Sequence, residues 1–280
     1  MRDDTYIQLL KLLPKSALSS AVGRVTRSSG PSLMHRAAIW GFARTFRVDA
    51  SEAERPLGEY ATFAEFFTRR LRAGSRPIAA GEKVVISPVD GTVSQAGYSA
   101  SGHCVQAKGI SFSLENLLQD PAAARSFEGG AFATLYLSPR DYHRVHAPLA
   151  GCIEAYSYIP GEFWPVNPRS VRSKQALFCL NERLITYLQS PAGPCAVIQV
   201  GATCVSRIRA SYDQVLTHAG QGAKLQRYQA PIPVAKGDEL GVFEMGSTVI
   251  LLFQKGRMRW SESLVPESAI RMGQAIGEAT

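Results

Sequence analysis

ELGVFEMGSTVILLF, residues 239–253, is an apolar run with a fault at its centre. Leu240, Val242, Phe243 and Met245 precede the fault, and Val249 through Phe253 follow it. Such a run reads as a strand buried on both faces. Glycine inside a strand costs backbone entropy and packs nothing, so the Gly246-Ser247 step needs a reason. Taken alone it reads as a bulge. A second reading is chemical. No Cβ shields the Gly246 carbonyl, and a serine hydroxyl activated by a nearby base can attack it. The peptide becomes an ester, β-elimination frees the upstream carboxylate, and the dehydroalanine left behind hydrolyses with loss of ammonia. The product is an N-terminal ketone built from Ser247.

Outward from this stretch, residues beyond about 80 read as short strands and turns. KVVISPVDGTVSQAG (83–97) is strand, turn, strand, AFATLYLS (131–138) alternates, and 196–208 is β-branched and apolar. Asp90-Gly91 between apolar runs is a strong hairpin signal, so by itself Asp90 reads as a turn former. FSLENLLQD (112–120) predicts short helix. Gly and Pro punctuate the strands at intervals that suit a compact sandwich or barrel.

The first 75 residues are different. Residues 5–27 predict an amphipathic helix that Pro14 divides or kinks, with Tyr6, Ile7, Leu9, Leu10, Leu13 and Val22 at helical spacing. Pro31 to Arg47 predicts a second helix, and TFAEFFTRRLR (62–72) a third, opened by the capping box Thr62 and Glu65. Residues 1–49 carry eight basic side chains against three acids, five of the net charge of +8. That excess suits an anionic partner, nucleic acid or membrane. Aromatic and aliphatic residues interleaved with Arg and Lys fit an interfacial helix. They also fit an ordinary surface helix packed on a core.

The 280 residues, 45% hydrophobic and 19% charged, describe an ordered globular chain with ample core. Five dispersed cysteines contain no C-x-x-C pair, which argues against a disulfide framework or structural zinc and suits a reducing compartment. No run of about 18 apolar residues offers a membrane span. Acids follow Arg2, and Lys11 and Lys15 interrupt the first apolar run, so no clean signal peptide is seen and retention inside the cell is expected. The fold class expected is α+β: N-terminal amphipathic helices, then a β-rich body.

LSPRDYHRVHAP, residues 137–148, gathers His143, His146, Arg140, Asp141, Tyr142 and Arg144 between a strand and a proline. Catalytic groups often occupy such loops. His143-x-x-His146 supports three readings: two metal ligands without an obvious third, local structural hydrogen bonds, or acid/base and anion-binding work by imidazoles that titrate near neutrality.

These motifs, taken together, resemble the phosphatidylserine decarboxylases of the bacterial and mitochondrial type. The likeness rests on FAEFFTRRL, RPI (76–78), SPVDGTVSQ, QAKGISFSLENLL, LSPRDYHRVHAP, NER (181–183), VGAT (200–203) and KGDELGVFEMGSTVILLF, in that order. Met245 stands where the family commonly has leucine, and CVSRI follows VGAT where valine, glycine and serine are usual.

The resemblance implies a barrel-sandwich-hybrid-like body at residues 76–280 after a membrane-associating helical region at 1–75. It implies cleavage at Gly246-Ser247 into 1–246 and 247–280, which stay together as a heterodimer, with Ser247 becoming a covalent pyruvoyl cofactor and no metal. Asp90, His146 and Ser247 are the implied processing set, in which Asp90 supports His146 as the base on Ser247. His143 is implied as a proton donor or a phosphate contact. Phosphatidylserine would lose CO2 through a Schiff base to give phosphatidylethanolamine. The partner implied is then an anionic membrane, the cytoplasmic face of the inner membrane, rather than nucleic acid. Two other readings stay open: a lipid-binding or carrier module of the same fold that never cleaves, and a metal-dependent hydrolase using both histidines.

Overall fold

The computed structural model describes residues 3–28, 32–203, 207–244 and 247–280. Three helices come first: α1 (Asp3–Leu12), α2 (Lys15–Arg27) and α3 (Ser32–Phe46). Pro14 divides the predicted first helix into two, as a residue without an N–H at that position must. The predicted start of α3 at Pro31 lies outside the described residues.

The third predicted helix is shorter than expected. α4 spans only Phe63–Phe67, with Thr62 Oγ1 accepting from the Glu65 N–H at 3.1 Å. Beyond it the chain turns to pair with residues 52–54, through Glu54 N–H to Arg70 O and Arg72 N–H to Glu52 O, both 2.9 Å. Tertiary pairing therefore takes over where helix propensity alone would continue. Phe66 and Phe67 of α4 are buried, and Phe66 shares a small core with Ile39 and Ala43 of α3.

The body is β-rich, so the α+β class is as expected. Its main sheet is antiparallel and eight-stranded, in the order Lys224–Val234, Gly151–Ile159, Arg183–Ser190, Gly193–Val200, Ser247–Phe253, Ala131–Leu137, Gly91–Tyr98, Ala269–Ile270. Ser247–Phe253 is an interior strand, with Val249, Ile250 and Leu251 wholly buried, which is why it reads as an unbroken apolar run. A three-stranded sheet joins Ile208–Ala210, Glu239–Phe243 and Arg144–His146. Another joins Val84–Ile86, Ala275–Ala279 and Met258–Trp260. Among the described residues these sheets are open, and none closes into a barrel.

Two expectations change. Residues 239–253 are two strands in different sheets, not one faulted strand. Asp90-Gly91 is also no hairpin. Val84–Ile86 pairs with Ala275–Ala279, whereas Gly91–Tyr98 pairs with Ala131–Leu137. Glycine at 91 is needed for close approach, because a Cβ there would strike the Tyr136 carbonyl oxygen.

Candidate active site

The two flanks of the Gly246-Ser247 step pair with the two flanks of the histidine loop. Upstream, Glu239–Phe243 runs antiparallel to Arg144–His146, with Glu239 opposite His146, and the Phe243 N–H donates to His143 O at 3.0 Å. Downstream, Ser247–Phe253 pairs with Ala131–Leu137, and Ser247 faces Leu137. The chain thus passes from one sheet to the other between Leu137 and Arg144, and Phe243 and Ser247 likewise lie in different sheets. Met245 and Gly246 lie outside the described residues, and of Ser247 only the backbone is described.

His146 and His143 are both buried. His146 Nδ1 lies 2.7 Å from Gly237 O, and a carbonyl can only accept, so Nδ1 carries the proton. Its Nε2 lone pair then accepts from the Tyr142 hydroxyl at 3.1 Å. Burial lowers the His146 pKa, with the bond to Gly237 opposing, so the ring is neutral near pH 7. A neutral imidazole with its Nε2 lone pair available by displacing one hydroxyl is what a general base requires.

His143 is arranged alike, with Nδ1–H donating to Asp141 O at 2.9 Å. Its ring meets Phe67 edge-on, centroids 4.1 Å apart, and its Nε2 is buried with no partner. Complete burial pushes its pKa down to about 3. Such a ring accepts a hydrogen bond at Nε2. It does not offer a charged N–H to an anion.

Asp90 lies near His146 through the backbone, since the His146 N–H donates to Pro88 O at 2.9 Å. Its carboxylate is engaged elsewhere: Oδ1 accepts from Arg76 Nε and the Met272 N–H, both at 2.8 Å. Arg76 in turn donates to both carboxylate oxygens of Glu52, at 2.9 and 2.7 Å. Burial works against the Arg76 charge, and the bonds to Asp90 and Glu52 overcome it, holding its pKa above the usual arginine range. The acceptor that fixes the His146 tautomer is therefore Gly237 O, while Asp90 acts on that ring as a nearby charge favouring the protonated form.

Several residues of the site carry no role in the sequence reading. Arg76 stood in RPI and Tyr142 in YHR, but spacing alone cannot tell that one holds Asp90 and the other occupies His146. Arg27 of α2 donates to Glu244 at 2.8 Å, and no local pattern links positions so distant. Gln199 faces Val249, and its amide is buried against Gly241 with neither side-chain atom paired among the described residues. Thr248 Oγ1 is likewise buried and unpaired. Among the described residues no group of three His, Cys, Asp or Glu is arranged to hold a metal.

Two buried imidazoles, His143 just before the strand Arg144–His146 and His146 at its end, define an α+β enzyme with acid/base capacity between two sheets. The family model for phosphatidylserine decarboxylase matches residues 63–278. The chain is 59% identical over 280 residues to a phosphatidylserine decarboxylase proenzyme of Myxococcus xanthus, covering all of both chains. It is 52% identical over 282 residues to that of an Anaeromyxobacter species and 44% identical over 287 residues to that of Azotobacter vinelandii, again over the full length of each. The chain belongs to the phosphatidylserine decarboxylase family, and is a lyase of phospholipid biosynthesis.

Proposed function

We propose that the chain is made as a precursor, cuts itself between Gly246 and Ser247, and converts phosphatidylserine to phosphatidylethanolamine and CO2. The observation that carries this reading is the double pairing: both flanks of Gly246-Ser247 pair with both flanks of the loop that bears His143 and His146. Rigid, buried strands on either side would hold a scissile carbonyl fixed against its nucleophile. The word proenzyme in the relatives' names agrees with a processed chain.

In processing, His146 Nε2 takes the Ser247 hydroxyl proton as Oγ attacks the Gly246 carbonyl carbon. The C–N bond breaks and the amine receives that proton, leaving an ester. Loss of the Ser247 Cα proton expels the Gly246 carboxylate, and water replaces the amine, released as ammonia. Asp90 favours the imidazolium that His146 becomes, by charge rather than by a direct bond. Fragments 1–246 and 247–280 then stay together, because Ser247–Phe253 lies between two strands of the larger fragment.

The pyruvoyl group formed at Ser247 supplies an electron sink for the pair that CO2 leaves behind. His143, neutral with Nε2 unpaired among the described residues, accepts a hydrogen bond from the substrate and orients it there. The dry surroundings of His143 favour neutral CO2 over a carboxylate.

The substrate lies in a bilayer, and residues 1–75 form the membrane-associating region ahead of a catalytic body at 76–280. Leu12, Leu33, Met34 and Trp40 are exposed on α1 and α3 beside Lys11, Arg36 and Arg44, as an interfacial surface requires. Among the described residues no helix is long and apolar enough to cross a membrane. Anionic lipid attracts each such cation by about 1 kcal/mol, which suits peripheral binding at the cytoplasmic face of the inner membrane.

Denaturing gels and intact-mass analysis of wild type and Ser247→Ala test the reading. Expected are two fragments, the smaller beginning with a pyruvoyl group, and an uncut variant. A whole wild-type chain would support the carrier-module alternative instead.

A further inference from the structure

We propose that Arg69 is the anion-binding residue of a headgroup cavity, and that its ligand is the phosphodiester of the lipid substrate. The inference rests on the decarboxylase reading above and names a subsite for it.

Arg69 is 4% exposed, yet among the described residues Nε and Nη1 have no acceptor, and Nη2 donates to Arg140 O at 3.0 Å. The Phe66 ring, centred 5.3 Å from Cζ, offers only its π face. A buried guanidinium left in this state is costly, because its charge has lost water and gains only the through-space field of Asp90, Asp141 and Glu52, with no carboxylate on its N–H groups. Arg69 lines a cavity of about 290 Å³ together with Arg47, Arg140, Arg271, Asp90 and Asp141.

The carboxylates in that cavity act on Arg69 only through space, since each is hydrogen-bonded elsewhere. Asp90 and Glu52 are held by Arg76, Asp141 by the N–H and hydroxyl of Ser138, both at 2.7 Å, and Asp49 by the Ser51 N–H at 2.9 Å. The remaining cations face outward. The Arg140 and Arg271 side chains are 59% and 68% exposed, and Arg47 directly follows α3 with its exposed Trp40 and Phe46. An anion is therefore drawn in from the side that carries the exposed apolar surface and meets a planar fork of unused N–H groups.

Chemistry selects which anion. An arginine on the scissile carboxylate would stabilise the charged ground state more than the neutral product, and would slow CO2 loss. The same arginine on the phosphodiester, whose charge is unchanged by the reaction, binds without that penalty. His143 cannot serve there, because its Nε2 carries no proton. The cavity lies at the lower end of the volumes of about 300–1,000 Å³ typical of small-molecule pockets, which suits a headgroup and not a whole lipid.

The test titrates full-length wild type, Arg69→Lys and Arg69→Met with glycerophosphoserine, glycerophosphoethanolamine, serine and inorganic phosphate by calorimetry, with melting curves of each protein. Both glycerophosphodiesters should bind wild type within about threefold of each other, and serine should not compete. Arg69→Lys and Arg69→Met should each weaken binding at least tenfold, and Arg69→Met should melt no lower than wild type because it removes an unpaired charge. If Arg69→Met does not fold, Arg69→Lys, which keeps the charge and loses the fork, decides alone. Unchanged binding in the variants overturns the proposal, as does competition by serine. Binding of inorganic phosphate that the glycerophosphodiesters cannot displace overturns the headgroup assignment in favour of a free-phosphate site. Chain cutting and CO2 release, measured on the same samples, separate the two readings. An Arg69→Lys enzyme that cuts and turns over lipid with unchanged KM sinks the subsite alone. An uncut, inactive wild type that still binds glycerophosphoserine through Arg69 sinks the decarboxylase reading alone.

Discussion

Arg27, near the end of α2, donates from Nη1 to Glu244 Oε2 at 2.8 Å, and Glu244 lies two residues before Gly246. The pair is part-buried, with side chains 31% and 17% exposed, so solvent screens some of its attraction. It ties a helix of the basic N-terminal region to the crossing where the chain is proposed to break. A pair of this exposure contributes up to about 1 kcal/mol, a factor of about five in rate. Arg27→Ala should therefore slow the appearance of the 247–280 fragment by up to about fivefold in a pulse-chase on denaturing gels. The exchange Arg27→Glu with Glu244→Arg should recover much of the loss. Cutting at the wild-type rate in Arg27→Ala would show that α2 does not position the crossing.

Tyr142 donates to the His146 Nε2 that the proposed mechanism needs. If the hydroxyl merely occupies the base before serine displaces it, Tyr142→Phe removes a competitor. The variant should cut at least as fast as wild type while losing about 1 kcal/mol of stability with the buried hydrogen bond. Abolished cutting with a normal melting curve would instead make Tyr142 part of the proton path.

Both buried histidines make the fold acid-sensitive. Burial holds both native pKa values below the ordinary histidine value of 6.5, so the unfolded chain binds more protons once the pH falls below that value. Above it neither ring costs anything. Each depressed ring then costs about 1.4 kcal/mol per pH unit, until the pH reaches its native pKa, about 3 for His143. Urea melts of Ser247→Ala from pH 7.5 to 5 should lose stability steeply below about 6.5, and adding His143→Gln should flatten that slope. An unchanged slope would remove His143 as the source.

Arg183 is wholly buried and has no carboxylate partner among the described residues. Its guanidinium donates to Leu117 O at 2.6 Å and to Cys179, Asn181 and Asn116 carbonyls at 2.8 Å each. Leu117 and Cys179 belong to the short helices Leu114–Leu118 and Leu177–Leu180. Burial lowers the Arg183 pKa to about 10, which leaves it charged at neutral pH, and four carbonyls stand in for the water it has lost. Arg183→Lys cannot reproduce the fork and should cost about 3–5 kcal/mol, read as a lower melting temperature in the uncut Ser247→Ala background. A change under about 1 kcal/mol would mean that water or repacking satisfies those carbonyls instead.

The candidate site was legible in part. Reactive residue types stood out because they cluster: His143 and His146 within one loop, Gly246-Ser247 inside an apolar run. Roles were less legible, because spacing does not say which acceptor sets a tautomer. Asp90 was expected to act on His146, and the carbonyl of Gly237 holds that ring while Arg76 holds Asp90. The shortened α4 and the missing hairpin at Asp90-Gly91 have one cause: long-range strand pairing outweighs local propensities worth about 1 kcal/mol or less per residue.

By itself the sequence determined the α+β order, the break of the first helix at Pro14 and the presence of an unusual Gly-Ser step, because each depends on covalent constraints or short-range periodicity. Only the tertiary structure decided that residues 239–243 and 247–253 belong to different sheets. It also decided that their ends pair with the two flanks of the histidine loop, and that Arg69 is buried with no hydrogen-bonded carboxylate among the described residues. Those facts depend on which distant segments pair and on how much water they exclude, and neither quantity is written in any local stretch of the chain.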